Sequence, residues 1–145
     1  MTNPQTLALE LSRKLTQERL KIIGDNACCA FVCMWCMGIE PTDIEAVRLV
    51  SDAMDAGVLE KDCTVKWTEF CKWLTGKTYD VEFKPVRELR GIIDRTPVRY
   101  DYKGKGHWVG VERGMICFNP LKTSRCVEKG TPVTSRILKL SGSVK

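Results

Sequence analysis

The order of local sequence patterns predicts an α+β fold in which helices come first and an antiparallel sheet follows. Apolar residues recur at helical spacing from Pro4 to Gly76. From Pro97 onward, short runs that favour β-structure alternate with turns that contain glycine or proline. The length of 145 residues fits one domain. We therefore predict a single domain over residues 1–145, with an N-terminal helix within 1–23 and a frayed tail, 141–145.

The first two helices are predicted from their start and stop signals. A proline in the first turn predicts a helix over residues 4–21, which Gly24 ends. Asn26 can then cap a second helix over residues 27–37. Because its side chains are apolar nearly all round, we expect this helix to be buried in the core.

Two further helices follow. Thr42 and Glu45 have the spacing of a capping box and begin the third, which Gly57 ends. The fourth covers Trp67 to Leu74, before Gly76.

The remaining chain is predicted to hold one short helix and five strands. Residues 85–93 are predicted as a helix because Val86, Leu89 and Ile93 fall on one side. The last strand is expected at an edge of the sheet, where its basic residues deter aggregation. The predicted strands are residues 78–83, 98–102, 107–112, 115–118 and 133–140.

Composition limits the classes of partner. The net charge of +5 is mild and the basic residues are scattered, which disfavours specific binding of nucleic acid. The start of the chain lacks the pattern of a signal peptide, and its uncharged runs are too short to span a bilayer. We therefore expect a cytoplasmic monomer with eight reduced cysteines, no membrane partner and no cofactor.

The strongest candidate for chemistry is a thiol at the start of the second helix. Four of the eight cysteines lie in the segment Gly24–Gly38, and Cys28 and Cys29 stand where that helix begins. Amides at a helix N-terminus favour a thiolate, so we expect a lowered pKa for Cys28. His107 is the one histidine of the chain and thus the one candidate for an imidazole base. Cys29 remains the alternative nucleophile.

A third residue follows from the predicted hairpin. If residues 107–112 and 115–118 pair around a turn at Arg113 and Gly114, His107 and Asn119 lie at the same open end. An asparagine there can orient the imidazole.

These segments resemble a known family. Cys28-Cys29-Ala30-Phe31 resembles the nucleophile segment of papain-like cysteine peptidases. Residues 106–111, followed by Phe118-Asn119-Pro120, resemble the His and Asp/Asn-Pro segments of the bacterial branch that includes the double-glycine leader peptidases. The resemblance implies a papain-like fold, in which N-terminal helices, including a buried central helix that starts at the cysteine, pack on a C-terminal antiparallel sheet.

The same resemblance implies roles for residues. Cys28 would be the nucleophile, His107 the general base and Asn119 the orienting residue. The family has a glutamine before the cysteine that completes the oxyanion hole, and none stands there in this chain. Asn26, Asp25 or the backbone N–H of Cys28 would have to supply that function.

The leading hypothesis is a thiol hydrolase that cleaves a peptide or isopeptide bond in a peptide or protein through an acyl-enzyme on Cys28. Transferase or deamidase chemistry would use the same triad. The missing glutamine motivates a second hypothesis, a weak or inactive papain-like scaffold that binds a host protein as a bacterial or phage effector. The third is a zinc-stabilised interaction domain, whose candidate ligands are Cys33, Cys36, His107, Cys117 and Cys126. We expect no metal, because Cys33 and Cys36 lie inside one continuous apolar run.

Overall fold

The computed structural model describes residues 3–141. Within them, five helices precede a five-stranded antiparallel sheet, and a sixth, short helix lies between its last two strands in sequence. The predicted α+β class is therefore confirmed. The helices are α1 (Pro4–Lys14), α2 (Gln17–Asn26), α3 (Cys28–Cys36), α4 (Asp43–Asp55), α5 (Trp67–Thr75) and α6 (Arg125–Lys129). The strands are β1 (Tyr79–Pro85), β2 (Thr96–Tyr102), β3 (Lys105–Glu112), β4 (Met115–Phe118) and β5 (Thr131–Leu140), in the spatial order β1-β5-β2-β3-β4. The predicted frayed tail falls mainly on residues 142–145, outside the described residues.

The N-terminal segment forms two helices, so the prediction of one helix over residues 4–21 is wrong. The chain leaves the helical conformation after Lys14, and the Thr16 side-chain oxygen accepts the N–H of Arg19 at 3.1 Å. That hydrogen bond caps α2 and starts a new helix. Arg19 then reaches α4, where its Nη1 lies 2.7 Å from an Asp55 carboxylate oxygen.

The junction between α2 and α3 is tighter than predicted. Gly24 does not end a helix, because α2 continues through it to Asn26. Asn26 does not cap α3, since its Nδ2 donates to the carbonyl of Ile22 at 3.0 Å and the N-cap position is Ala27. A glycine inside a helix costs only about 1 kcal/mol, which the packing of α2 outweighs.

The third and fourth predicted helices are confirmed as α4 and α5. Thr42 and Glu45 form both hydrogen bonds of the capping box at the start of α4. Gly57 follows α4 with φ of 78°, and Gly76 ends α5 with φ of 76°, a region that glycine enters without steric cost.

The predicted helix over residues 85–93 is absent. Pro85 is the last residue of β1 and pairs with Thr134 of β5. The residues that follow form turns, and Leu89 and Ile92 pack against the sheet. Of the three residues whose spacing predicted the helix, Leu89 contacts the sheet, whereas Ile93 is 65% exposed. The short helix α6 was not predicted.

The last strand lies inside the sheet, so its prediction as an edge strand is wrong. β5 pairs with β1 on one side and with β2 on the other. This placement brings side chains of β5 and β2 together, although the strands are far apart in sequence.

The helix α3 is buried against β3, as its apolar composition predicted. Five of its nine residues are buried. The ring of Trp35 lies against Gly110, where an ideal Cβ would overlap it. Trp35 also stacks on Phe118 with ring centroids 6.0 Å apart, and the Arg95 guanidinium lies 4.3 Å from the centre of its ring. These contacts fix α3 on one face of the sheet.

The other face of the sheet has its own apolar cluster. Val98, Val109 and Val111 form its centre, which α6 and the segment after β1 cover. None of the helices between residues 3 and 141 has the length and apolar character that crossing a bilayer requires.

Candidate active site at the open end of the hairpin

The hairpin of β3 and β4 positions two of the three predicted site residues. Arg113 and Gly114 form its turn with φ of 53° and 74°, the conformation that a tight two-residue hairpin requires. His107 lies near the start of β3, and Asn119 directly follows β4. The hairpin brings them to one end, where His107 Nε2 lies 2.7 Å from Asn119 Oδ1.

A second hydrogen bond determines which ring nitrogen of His107 carries the proton. Asn119 Oδ1 also accepts the backbone N–H of Leu121 at 3.0 Å, which identifies this atom as the amide oxygen. Because a carbonyl oxygen only accepts, His107 Nε2 must donate to it. In the neutral ring, Nδ1 therefore carries the lone pair and can take a proton. The ring is 4% exposed, so its orientation is held by its surroundings.

The Cys28 thiol lies beside the backbone that follows His107. Cys28 is the first residue of α3, and the backbone N–H of Trp108 is directed at its sulfur. No side-chain hydrogen bond within residues 3–141 joins this sulfur to the His107 ring. The structure thus brings Cys28 to the residue next to His107, while Asn119 holds the ring.

Burial determines the acidity of Cys28. Desolvation raises its pKa above the ordinary value. This effect is larger than the opposing effects, which come from the backbone N–H groups of Trp108, Cys29 and Cys28 and from the charge of Arg99. The expectation of a lowered pKa from the helix N-terminus is therefore wrong. At neutral pH Cys28 rests as a thiol, so it needs a base before it can act as a nucleophile.

Of the other three cysteines of α3, Cys29 and Cys36 are half-buried. Burial raises the pKa of Cys29 well above the ordinary value and also raises that of Cys36. Cys33 is fully buried, with its sulfur 3.7 Å from that of Cys71. Of the two candidate nucleophiles, the contacts with β3 favour Cys28 over Cys29.

Asp25 and Asn26 have partners within α2. A carboxylate oxygen of Asp25 lies 2.8 Å from Lys21 Nζ on the surface. Asn26 uses one side-chain N–H on the Ile22 carbonyl. The role of Asn26 at an oxyanion stays a prediction, and so does the alternative donor, the backbone N–H of Cys28.

The zinc ligands that the spacing allowed are not assembled in the part of the chain that the structure describes. Among residues 3–141, no group of three or more His, Cys, Asp or Glu side chains could hold a metal ion. The sulfurs of Cys117 and Cys126 contact the carbonyls of Glu112 and Lys105 at 3.6 and 3.4 Å.

Sequence reasoning missed two arginines near the cysteines that begin α3: the charge of Arg99 acts on Cys28 and Cys29, and that of Arg136 acts on Cys29. Arg99 stands opposite Trp108 in the pairing of β2 with β3, and its guanidinium occupies the space beside Gly106. The guanidinium of Arg136 lies 5.4 Å from the centre of the Trp108 ring. Only the strand order places Arg136 here, so no local sequence signal could have found it.

Known proteins give no indication of the function of this chain. No protein-family model, curated protein or solved structure matches the chain. The residues near the start of β3 include the Cys28 thiol, beside the Trp108 backbone, and an imidazole that Asn119 orients and whose Nδ1 can accept a proton. Such a set can support nucleophilic attack on an acyl group.

Proposed function

We propose that the chain is a papain-like cysteine hydrolase that cleaves a peptide or isopeptide bond in a peptide or protein. The observation that supports this most strongly is the bond of 2.7 Å between His107 Nε2 and Asn119 Oδ1. It leaves Nδ1 as the proton acceptor, near the start of β3, where the Trp108 N–H is directed at the Cys28 sulfur. The start of α3 at Cys28 and its packing on an antiparallel sheet also support a papain-like arrangement.

The first half of the reaction forms an acyl-enzyme. As the Cys28 sulfur attacks the carbonyl carbon, its proton passes to His107 Nδ1. Asn119 stabilises the imidazolium through Nε2. The imidazolium then gives its proton to the leaving amine, and the C–N bond breaks.

Hydrolysis completes the cycle. Nδ1 takes a proton from water as the water oxygen attacks the thioester carbon, and the proton returns to the Cys28 sulfur as the C–S bond breaks. The backbone N–H of Cys28, with a side-chain N–H of Asn26, would face the oxyanion in both halves. The Asp25 carboxylate only accepts hydrogen bonds and pairs with Lys21, so it cannot donate one to the oxyanion. Loss of one such donor typically costs about 100- to 1000-fold in rate. The same residues would serve a transferase or deamidase if an amine or another acceptor replaced water.

A second candidate function is a papain-like scaffold that binds a host protein, as in a bacterial or phage effector. The raised pKa of Cys28 and the engagement of Asn26 within α2 favour it. It predicts that Cys28→Ala preserves biological activity. Loss of that activity in Cys28→Ala protein that remains folded would exclude this function.

Dependence of Cys28 reactivity on His107 tests the proposal. We expect a peptidyl vinyl sulfone to label Cys28 at neutral pH in the unaltered protein. In His107→Ala, labelling should be slow at neutral pH and should rise as the pH passes the ordinary thiol range of about 8.5. The reason is that burial raises the pKa of Cys28, so the thiolate forms only in alkali once the base is gone. Tandem mass spectrometry gives the rate at each cysteine.

Cys117 provides the control for this experiment, because it is an exposed thiol outside the triad. Its labelling rate should be equal in the two proteins at every pH. The proposal fails if Cys28 has the same pH profile with and without His107.

A further inference from the structure

Two arginines lie on the face of the sheet against which α3 packs. Arg99 and Trp108 are directly opposite each other in β2 and β3, so their side chains share a face. Trp108 and Gly110 share a face of β3 because side chains alternate, and Gly110 meets Trp35 of α3. Arg136 comes from β5, the other neighbour of β2.

Aromatic rings hold the guanidinium of Arg136. Its central carbon lies 4.9 Å from the ring centre of Phe83 and 5.4 Å from those of Trp67 and Trp108. These contacts stabilise the cation and restrict its orientation. Its Nη1 donates to the neighbouring Ser135 carbonyl at 3.1 Å.

Arg136 differs from Arg99 in its charge partner. Arg99 Nε lies 3.0 Å from Asp101 Oδ1. Among residues 3–141, no carboxylate lies within ion-pair distance of Arg136. Burial also lowers the pKa of Arg136, which indicates that its charge is partly desolvated. A desolvated cation is normally paired, so this geometry is suited to an anion from outside the chain.

Both guanidinium groups lie close enough to the cysteines at the start of α3 to lower the pKa of a thiol there. The charge of Arg99 lowers the pKa of Cys28, and the charges of Arg136 and Arg99 lower that of Cys29, although burial prevails in both cases. Trp108 contacts both the arginine and the thiol: its ring contacts the Arg136 guanidinium, and its backbone N–H is directed at the Cys28 sulfur.

We infer that Arg136, assisted by Arg99, binds a carboxylate that the substrate carries beside the bond attacked by Cys28. The identity of that bond rests on the proposed function. A guanidinium recognises a carboxylate through two parallel N–H···O bonds, which gives direction as well as charge. The substrate class is therefore an acidic peptide, with the carboxylate on an Asp or Glu side chain or at a peptide C-terminus.

The test compares two alkylating reagents that differ only in charge. Iodoacetate carries a carboxylate, whereas iodoacetamide is neutral, and both react with the same thiolate. Their rate ratio at Cys28 is thus independent of the thiolate fraction and reports attraction of the carboxylate. We expect this ratio to exceed the ratio at exposed Cys117 by about fivefold.

Charge-matched variants assign the effect to Arg136. Arg136→Gln should bring the ratio at Cys28 to within about twofold of that at Cys117, and Arg136→Lys should retain most of the preference. Arg87→Gln removes one positive charge from an exposed position elsewhere on the chain and should leave the ratio unchanged. Equal ratios at Cys28 and Cys117, or a preference that persists in Arg136→Gln, would overturn the inference.

Peptide substrates then distinguish the two sources of the carboxylate. One pair of peptides carries Glu or Gln next to the scissile bond with a blocked C-terminus, and a second pair has a free or amidated C-terminus. Faster cleavage of the Glu peptide identifies a side chain, and faster cleavage of the free acid identifies a C-terminus. If no peptide is cleaved, the proposed hydrolase function fails, while the alkylation ratio still decides whether Arg136 attracts a carboxylate.

Discussion

Replacement of His107 by alanine is expected to lower kcat/KM for peptide hydrolysis by about 100- to 10,000-fold, the usual contribution of a general base. The effect should be large because burial keeps Cys28 protonated at neutral pH. His107 Nδ1 is the proton acceptor that the bond from Nε2 to Asn119 leaves available. The measurement is steady-state cleavage of a fluorogenic peptide.

Two further variants separate catalysis from packing. Tyr100→Phe alters the buried residue that faces His107 across β2 and β3, and it should leave hydrolysis largely unchanged. Asn119→Asp keeps an oxygen that accepts from Nε2, so it should retain more activity than Asn119→Ala. A loss below about tenfold in His107→Ala would contradict general-base catalysis by this residue.

Gly110→Ala is expected to lower the free energy of unfolding by about 1–3 kcal/mol, the usual cost of overpacking a core. The added methyl would overlap the ring of Trp35. That ring contacts both Phe118 and the Arg95 guanidinium, and the guanidinium also donates to the Trp35 carbonyl at 2.8 Å, so the ring has little room to move. Urea denaturation gives the difference in stability.

Gly24→Ala is the matched control for this change. Gly24 lies inside α2, and an ideal Cβ there meets no atom within 4 Å. Alanine should raise the free energy of unfolding by about 0.5–1 kcal/mol because it favours the helix. Equal effects of the two substitutions would show that the contact between Gly110 and Trp35 does not hold α3 on the sheet.

The elements that the sequence predicted well have strong local signals. The capping box of Thr42 and Glu45 and the left-handed glycine Gly76 each act within a few residues of the helix end that they define. The hairpin turn at Arg113 and Gly114 is equally local. It predicted that His107 and Asn119 lie at the same open end of the hairpin, although the pairing of β3 with β4 shifts between Val111 and Gly110.

The errors arose where weak local signals compete with packing. Gly24 was predicted to stop a helix, but tertiary contacts carry α2 through it. The apolar spacing of Val86, Leu89 and Ile93 suits one face of a helix, but Leu89 contacts the sheet from a loop and Ile93 is exposed. The break at Thr16 has a local capping signal that the prediction of one helix over residues 4–21 did not take into account.

Two properties of the site depend on tertiary structure alone. The raised pKa of Cys28 follows from its burial in the folded chain, whereas the sequence indicated only the helix N-terminus. The placement of Arg136 near Arg99 follows from the position of β5 between β1 and β2. A sequence shows the residue types but does not fix the order of strands in a sheet.

Detection of an acyl-enzyme would test directly whether Cys28 acts as a covalent nucleophile. The protein is mixed with a peptide ester, quenched in acid within the first turnovers, digested and analysed by mass spectrometry. We expect an added mass equal to the acyl part of the peptide on Cys28, and we expect no such adduct in Cys28→Ala. An adduct on another cysteine, or no adduct while the ester is hydrolysed, would contradict that role of Cys28.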